Sequence, residues 1–90
     1  MAEVVWSRRA IRQLEAIRAY IAKENPHAAR RTFLRLVAAS DSLAILPERG
    51  RPISSGRREL AHLLPYLIRY RARGNMVKIL EVRHAARKPE

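Results

Sequence analysis

Two runs of alternating apolar residues and arginine, Tyr66-Leu67-Ile68-Arg69-Tyr70-Arg71 and Met76-Val77-Lys78-Ile79-Leu80-Glu81-Val82-Arg83-His84, flank the turn Arg73-Gly74-Asn75. No other stretch restricts the fold as much: strand-forming runs either side of a Gly-Asn pair predict a β-hairpin. The second strand runs into one imidazole and three permanent cations: Arg83, His84, Arg87 and Lys88. Such a cluster suits an anionic partner, or chemistry on a phosphodiester.

Upstream, residues 57–63 read as another strand, with Pro65 ending it or sitting at an exposed edge. Three consecutive strands over 57–63, 66–72 and 76–84 with short links predict an antiparallel meander. Pro47 to Gly56 reads as a loop, from its prolines, glycines and serines. Gly50 and Gly56 are expected at turn positions that need glycine's freedom.

The first half has a helical period. Glu3-Val4-Val5-Trp6 is a short strand, with Trp6 expected in the core, and Ser7 is placed to cap a helix. Ala10, Leu14, Ile17 and Ile21 then recur on one face, opposite Arg9, Arg12, Glu15 and Arg18. Asn25-Pro26 closes that helix and opens a second, with a cap and proline at its first turn. The second carries Ala29, Phe33, Leu36, Val37, Ser40, Leu43 and Ala44 on one side. Two helices so linked form an antiparallel hairpin whose apolar stripes still need a sheet. The expectation is a single α+β domain spanning 1–90.

Formal net charge is +11, with nineteen Lys/Arg against eight Asp/Glu. Residues 1–50 hold nine cations and five acids (+4), and residues 51–90 hold ten and three (+7). Arginine is sixteen of the nineteen, the side chain suited to bidentate pairing with carboxylate or phosphate. The excess predicts attraction to RNA, DNA or an acidic protein, and its alternative is a solvated basic face. There is no cysteine, and His27, His62 and His84 lack metal-ligand spacing, so neither metal nor cofactor is expected. No apolar run has transmembrane length and no signal peptide opens the chain, so a cytoplasmic location is expected.

Read in order, these pieces resemble the RelE/ParE superfamily of bacterial toxins. The carriers are Val5-Trp6-Ser7, Ile17-x-x-Tyr20-Ile21-Ala22, Asn25-Pro26-x-Ala28-Ala29, Leu46-Pro47-x-x-Gly50-Arg51-Pro52 and Gly56-x-Arg58-Glu59-Leu60. Tyr66-Leu67-Ile68-x-Tyr70-Arg71 and Val77-x-Ile79-Leu80-x-Val82-x-His84-Ala85-Ala86-Arg87-x-Pro89 complete them. The ending looks like the ParE branch. The resemblance implies the toxin of a type II toxin–antitoxin module that inhibits DNA gyrase and forms a hetero-oligomer with an acidic, ParD-like antitoxin. The alternative is a RelE-like messenger-RNA endonuclease.

Metal-free RNA cleavage needs proton-transfer groups and cations for the phosphorane. On that alternative Arg58, Arg83, His84 and Arg87 are the candidates, with Glu59 or Glu81 as a second proton-transfer group. The RelE pattern, however, uses clustered lysines in the middle strands and a tyrosine near the end. Here the meander has only Lys78, and nothing aromatic follows Tyr70. On the ParE reading no residue is catalytic, and Arg83, His84, Arg87 and Lys88 contact the target. Arg30, Arg31, Arg35, Arg69 and Arg71 are candidates for the rim of the antitoxin site. Structural alternatives stand beside these: His84 closing the sheet end, Tyr66 and Tyr70 in the core, and Glu59 as an ion-pair partner.

Overall fold

A computed structural model of the chain describes residues 1–86. Its elements are β1 (Glu3–Trp6), α1 (Arg8–Ala22), α2 (Pro26–Asp41), β2 (Arg51–Pro52), β3 (Arg58–Leu63), β4 (Tyr66–Arg73) and β5 (Met76–His84). One sheet holds all the strands in the order β1-β5-β4-β3-β2. Only β1 and β5 run parallel, with Val4 opposite Val77 and Trp6 opposite Ile79. The α+β expectation holds, including the N-terminal strand, the helical hairpin and the three-stranded meander.

The helix starts follow local chemistry. Ser7 Oγ accepts from the Ala10 N–H at 3.0 Å and donates to the Leu80 carbonyl at 3.1 Å. One hydroxyl therefore caps α1 and ties it to β5. Asn25 Oδ1 accepts from the Ala28 N–H at 3.0 Å, with Pro26 in the first turn. In the hairpin, Gly74 takes φ +58°, the first loop position where a II′ turn places glycine.

Both helices lie on one face of the sheet, α1 against β5 and α2 against β3. Leu14, Leu36 and Leu43 meet Leu60, Ile68, Tyr70, Val77, Ile79 and Val82, with Trp6, Phe33 and Tyr66 packed at the margin. Alternation along β4 buries Ile68 and Tyr70 and turns Leu67, Arg69 and Arg71 to the opposite face. Beyond Ile79 the outer edge of β5 has no strand beside it. Side chains of the Ser7–α1 segment cover it: Ser7 takes the Leu80 carbonyl, and Gln13 Oε1 accepts from the Val82 N–H at 2.8 Å.

Three expectations are corrected. The 47–56 segment is not wholly loop: Arg51 and Pro52 pair with Glu59 and Arg58 as a two-residue edge strand, where a proline is tolerated. The second helix ends at Asp41, and Ser42–Ala44 tightens into a 3₁₀ turn that still buries Leu43. Gly56 has the positive φ expected of it, +69°, but Gly50 does not. Gly50 is needed for space: a Cβ there would stand 2.7 Å from Tyr70 Cε1 and 3.0 Å from the Glu59 carbonyl.

Leu36 is fully buried where α2 meets the sheet. Leu36→Ala is expected to cost about 2–5 kcal/mol. For a domain of this size that lowers the melting temperature by at least about 8 °C, read by thermal denaturation.

Candidate functional site

The open face of the sheet is built from a row of charges in register. Arg51 on β2 lies opposite Glu59 on β3, Glu59 opposite Arg69 on β4, and Arg69 opposite Glu81 on β5. Directly opposed residues on neighbouring strands interact most strongly, so alternating sign is the stabilising order. Arg51 Nη2 reaches Glu59 Oε1 and Arg69 Nε reaches Glu59 Oε2, each at 2.9 Å. Glu81 is held more loosely, by Arg9 at 3.5 Å, Arg69 at 3.7 Å and Arg57 at 3.9 Å.

Glu59 is buried although its face is open. Burial pushes its carboxyl up, but the hydrogen bonds and charges of Arg69 and Arg51 outweigh that and hold it below the usual carboxylate range. The expected role of Glu59 as an ion-pair partner is what the structure shows. Arg71 Nη2 donates to the Ser55 carbonyl at 2.8 Å.

Tyr70 anchors the 47–50 segment from the other face. Its hydroxyl donates to the Pro47 carbonyl at 2.7 Å and accepts from the Gly50 N–H at 2.8 Å. Burial raises its pKa above the ordinary phenol value. Arg58 Nη1 adds a 2.7 Å bond to the Gly50 carbonyl and a 3.3 Å bond to the Glu48 carbonyl. Tyr70 and Arg58 thus bind the same short segment, leaving Gly50 no room for a side chain.

The candidate nuclease groups are spread out. Arg58 pairs across the sheet with Tyr70, whereas Arg83 and His84 pair with Leu67 and Tyr66. Arg58 is therefore about 13 Å along the strands and about 10 Å across them from His84. His84 Nδ1 accepts from the Ala86 N–H at 3.1 Å, and its ring meets Tyr66 edge-on at 5.6 Å. Arg83 and His84 end β5 together, while Arg87 and Lys88 lie outside the described residues. Among the described residues no group of three His, Cys, Asp or Glu is arranged to hold a metal.

The five candidate rim residues for an antitoxin fall on two surfaces. Arg69 and Arg71 belong to the open face of the sheet. Arg30, Arg31 and Arg35 are exposed on α2, whose buried side faces the sheet. They line a depression of about 420 Å³ with His27, Leu34 and Ala38. Sequence reasoning passed over Leu34, which interrupts a run of arginines and lies off the apolar stripe. Its helical spacing from Arg30 and Arg31, four and three positions before it, is the signal that points to it.

A small α+β domain of this topology, with an arginine-rich sheet face, is the architecture of a RelE/ParE superfamily toxin. Residues 4–89 match the family described as the ParE toxin of the type II toxin-antitoxin system, parDE. The chain belongs to that family. It is 52% identical to Toxin RelE2 of Caulobacter vibrioides over 97% of this chain and 99% of that protein. It is also 45% identical to the putative toxin Y4kP of Sinorhizobium fredii, over 89% of this chain and 84% of that one. A solved structure described as the chromosomal ParDE TA system from P. aeruginosa superposes with a TM-score of 0.81. It is 25% identical, over 93% of this chain and 96% of that chain.

Two outcomes follow from the ladder and the anchored segment. Because the folded-state pKa of Glu59 is depressed, its pairing supports the fold above the unfolded carboxylate value. That support is lost as pH falls through the lower folded value. Glu59→Gln is expected to destabilise at neutral pH and to lose its effect as pH falls below the usual carboxylate range, in melts of both proteins. Gly50→Ala is expected to cost about 1–3 kcal/mol by overpacking against Tyr70, measured by urea denaturation.

Proposed function

We propose that the chain is a cytoplasmic ParE-type toxin that inhibits DNA gyrase and is neutralised by an acidic, ParD-like antitoxin in a hetero-oligomer. The observation that carries the gyrase reading is how the candidate nuclease groups are engaged. Arg58 holds the Gly50 carbonyl, Glu59 is saturated by two guanidiniums, and the Nδ1 lone pair of His84 is taken by Ala86. RNA cleavage needs a free base and a free acid on either side of one phosphodiester.

Membership of the family supports the antitoxin partner. The +11 charge supports an acidic one. No helix among the described residues is long and apolar enough to cross a membrane, which agrees with a cytoplasmic site of action. The second reading, messenger-RNA cleavage, has one observation in its favour: the 52%-identical relative is named a RelE toxin. The proposed target contacts are Arg83 and His84, which end β5, together with Arg87 and Lys88, which follow them in the sequence.

The purified chain is expected to inhibit gyrase supercoiling, or to raise the level of cleaved DNA complexes, while leaving RNA intact. RNA cleavage that disappears in His84→Ala would establish the second reading instead. Replacing Arg87 and Lys88 together by Ala is expected to change stability by no more than about 0.5 kcal/mol yet weaken growth arrest. A folded, fully expressed and fully toxic variant would move the target surface away from Arg87 and Lys88.

A further inference from the structure

The link between β2 and β3 is strained and fastened by arginine. Ser54–Gly56 forms a 3₁₀ turn in which Ser55 takes φ +64° and ψ 33°, a left-handed conformation that a side chain disfavours. Gly56 follows at φ +69°. Strain of this kind collects at switch and ligand-clamping segments. Two guanidiniums clasp the turn. Arg57 Nε donates to the Ser54 carbonyl at 3.1 Å, and its Nη2 donates to Ser54 Oγ at 3.2 Å. Arg71 Nη2, from β4, donates to the Ser55 carbonyl at 2.8 Å.

On the turn both cations meet only neutral oxygens. The carboxylate nearest Arg57 is Glu81, at 3.9 Å, and Arg71 has no ion pair among the described residues. Glu81 does not depend on Arg57, because Arg9 at 3.5 Å and Arg69 at 3.7 Å remain beside it. An anionic group on the Ser54 oxygen would therefore find two cations in place, one already bonded to that oxygen.

Access and sequence agree with this. Ser54 and Ser55 are exposed, beside an edge strand only two residues long. From Arg49 to Arg58 the chain has four arginines and no acid. Arg51, three positions before Ser54, stays 70% exposed despite its bond to Glu59. A serine flanked in this way is steered into an acidic enzyme cleft. The serines of the first half are committed elsewhere: Ser7 caps α1, Ser40 is buried, and Ser42 donates to the Ala39 carbonyl.

We propose that Ser54 is a phosphorylation site whose phosphoryl group is held by Arg57 and Arg71. The donor is a nucleoside triphosphate on a protein kinase with an acidic substrate cleft. The Ser54 Oγ–P bond forms as the bond from the γ-phosphorus to its bridging oxygen breaks. The hydroxyl proton passes to the kinase's base, and the nucleoside diphosphate leaves. The product brings about two negative charges and three acceptor oxygens to guanidinium donors that already point at the turn. It tightens the strained link and removes positive charge beside the Arg51 end of the charge row. The modification adds to the toxin reading and does not depend on the identity of the target.

Two measurements on the whole chain test the site. In the first, an arginine-directed serine kinase and radiolabelled ATP are supplied, and the labelled residue is mapped by mass spectrometry. Label is expected on Ser54, absent in Ser54→Ala and kept in Ser55→Ala. Arg51→Gln should slow labelling about tenfold or more, the loss of one charge-assisted contact. In the second, phosphoserine is installed at position 54 during synthesis and followed by phosphorus NMR against pH. Its second ionisation is expected at least about half a unit below the ordinary value of about 6. Arg57→Gln and Arg71→Gln should each move it back up, with melting curves confirming that both variants are folded. No label, label on Ser55 in place of Ser54, a rate indifferent to Arg51, or a titration unchanged in both arginine variants would each overturn the proposal.

Discussion

The pairing of β1 with β5 organises the molecule. These strands come from opposite ends of the chain and run parallel, so they cannot be joined by a tight turn. The helical hairpin leaves directly from β1, and Ser7 binds its first turn to the β5 backbone. Both helices are thereby delivered to one face of the sheet. Among the described residues the other face receives no helix, so it is made compatible with water by its own side chains.

That requirement accounts for the charge row. An antiparallel sheet with one open face alternates apolar and polar residues. Here the polar set is mostly arginine. Unrelieved, such a face would carry strong like-charge repulsion between neighbouring strands. Glu59 and Glu81 are placed in register between cations, on β3 and β5, and convert repulsion into pairing. Most of the stabilisation comes from Glu59, which is buried and bonded at 2.9 Å on both oxygens. Glu81, at 3.5 Å or more from each guanidinium, contributes mainly through its field.

Local chemistry was readable in the residues, and long-range register was not. Ser7, Asn25-Pro26 and Gly74-Asn75 act within a few positions of themselves, so the helix starts and the hairpin turn fall where expected. Tyr70 was legible as a core residue by its period-2 relation to Tyr66. Its hold on Pro47 and Gly50, more than twenty positions back in the first case, was not. Gly50 looked like a turn glycine because composition cannot distinguish a need for positive φ from a need for space. The rim expectation spans two elements, a groove shared by the helical hairpin and the exposed sheet face. The structure puts Arg30, Arg31 and Arg35 on α2 and Arg69 and Arg71 on the open face of the sheet, with the sheet between them.

This separation bears on how a neutralising segment must be built. The molecule measures 40 × 28 × 22 Å, and the exposed face of α2 and the open face of the sheet lie on opposite sides of the sheet. A segment docked on α2 alone leaves the sheet face and the end of β5 uncovered. Passing from one side to the other takes at least the shorter dimensions, and an extended chain advances about 3.5 Å per residue. Roughly six to eight residues are therefore spent on the crossing before any contact is made on the far side. On the proposed target contact at the end of β5, an antitoxin segment that stops short of that length would leave Arg83 and His84 open. One that is longer can cover both, and ordering the connecting stretch would cost about 1–2 kcal/mol per residue unless it finds contacts along the way. On that proposal the strongest neutralisation falls to a long segment that meets both faces and keeps continuous contacts around the edge of the fold.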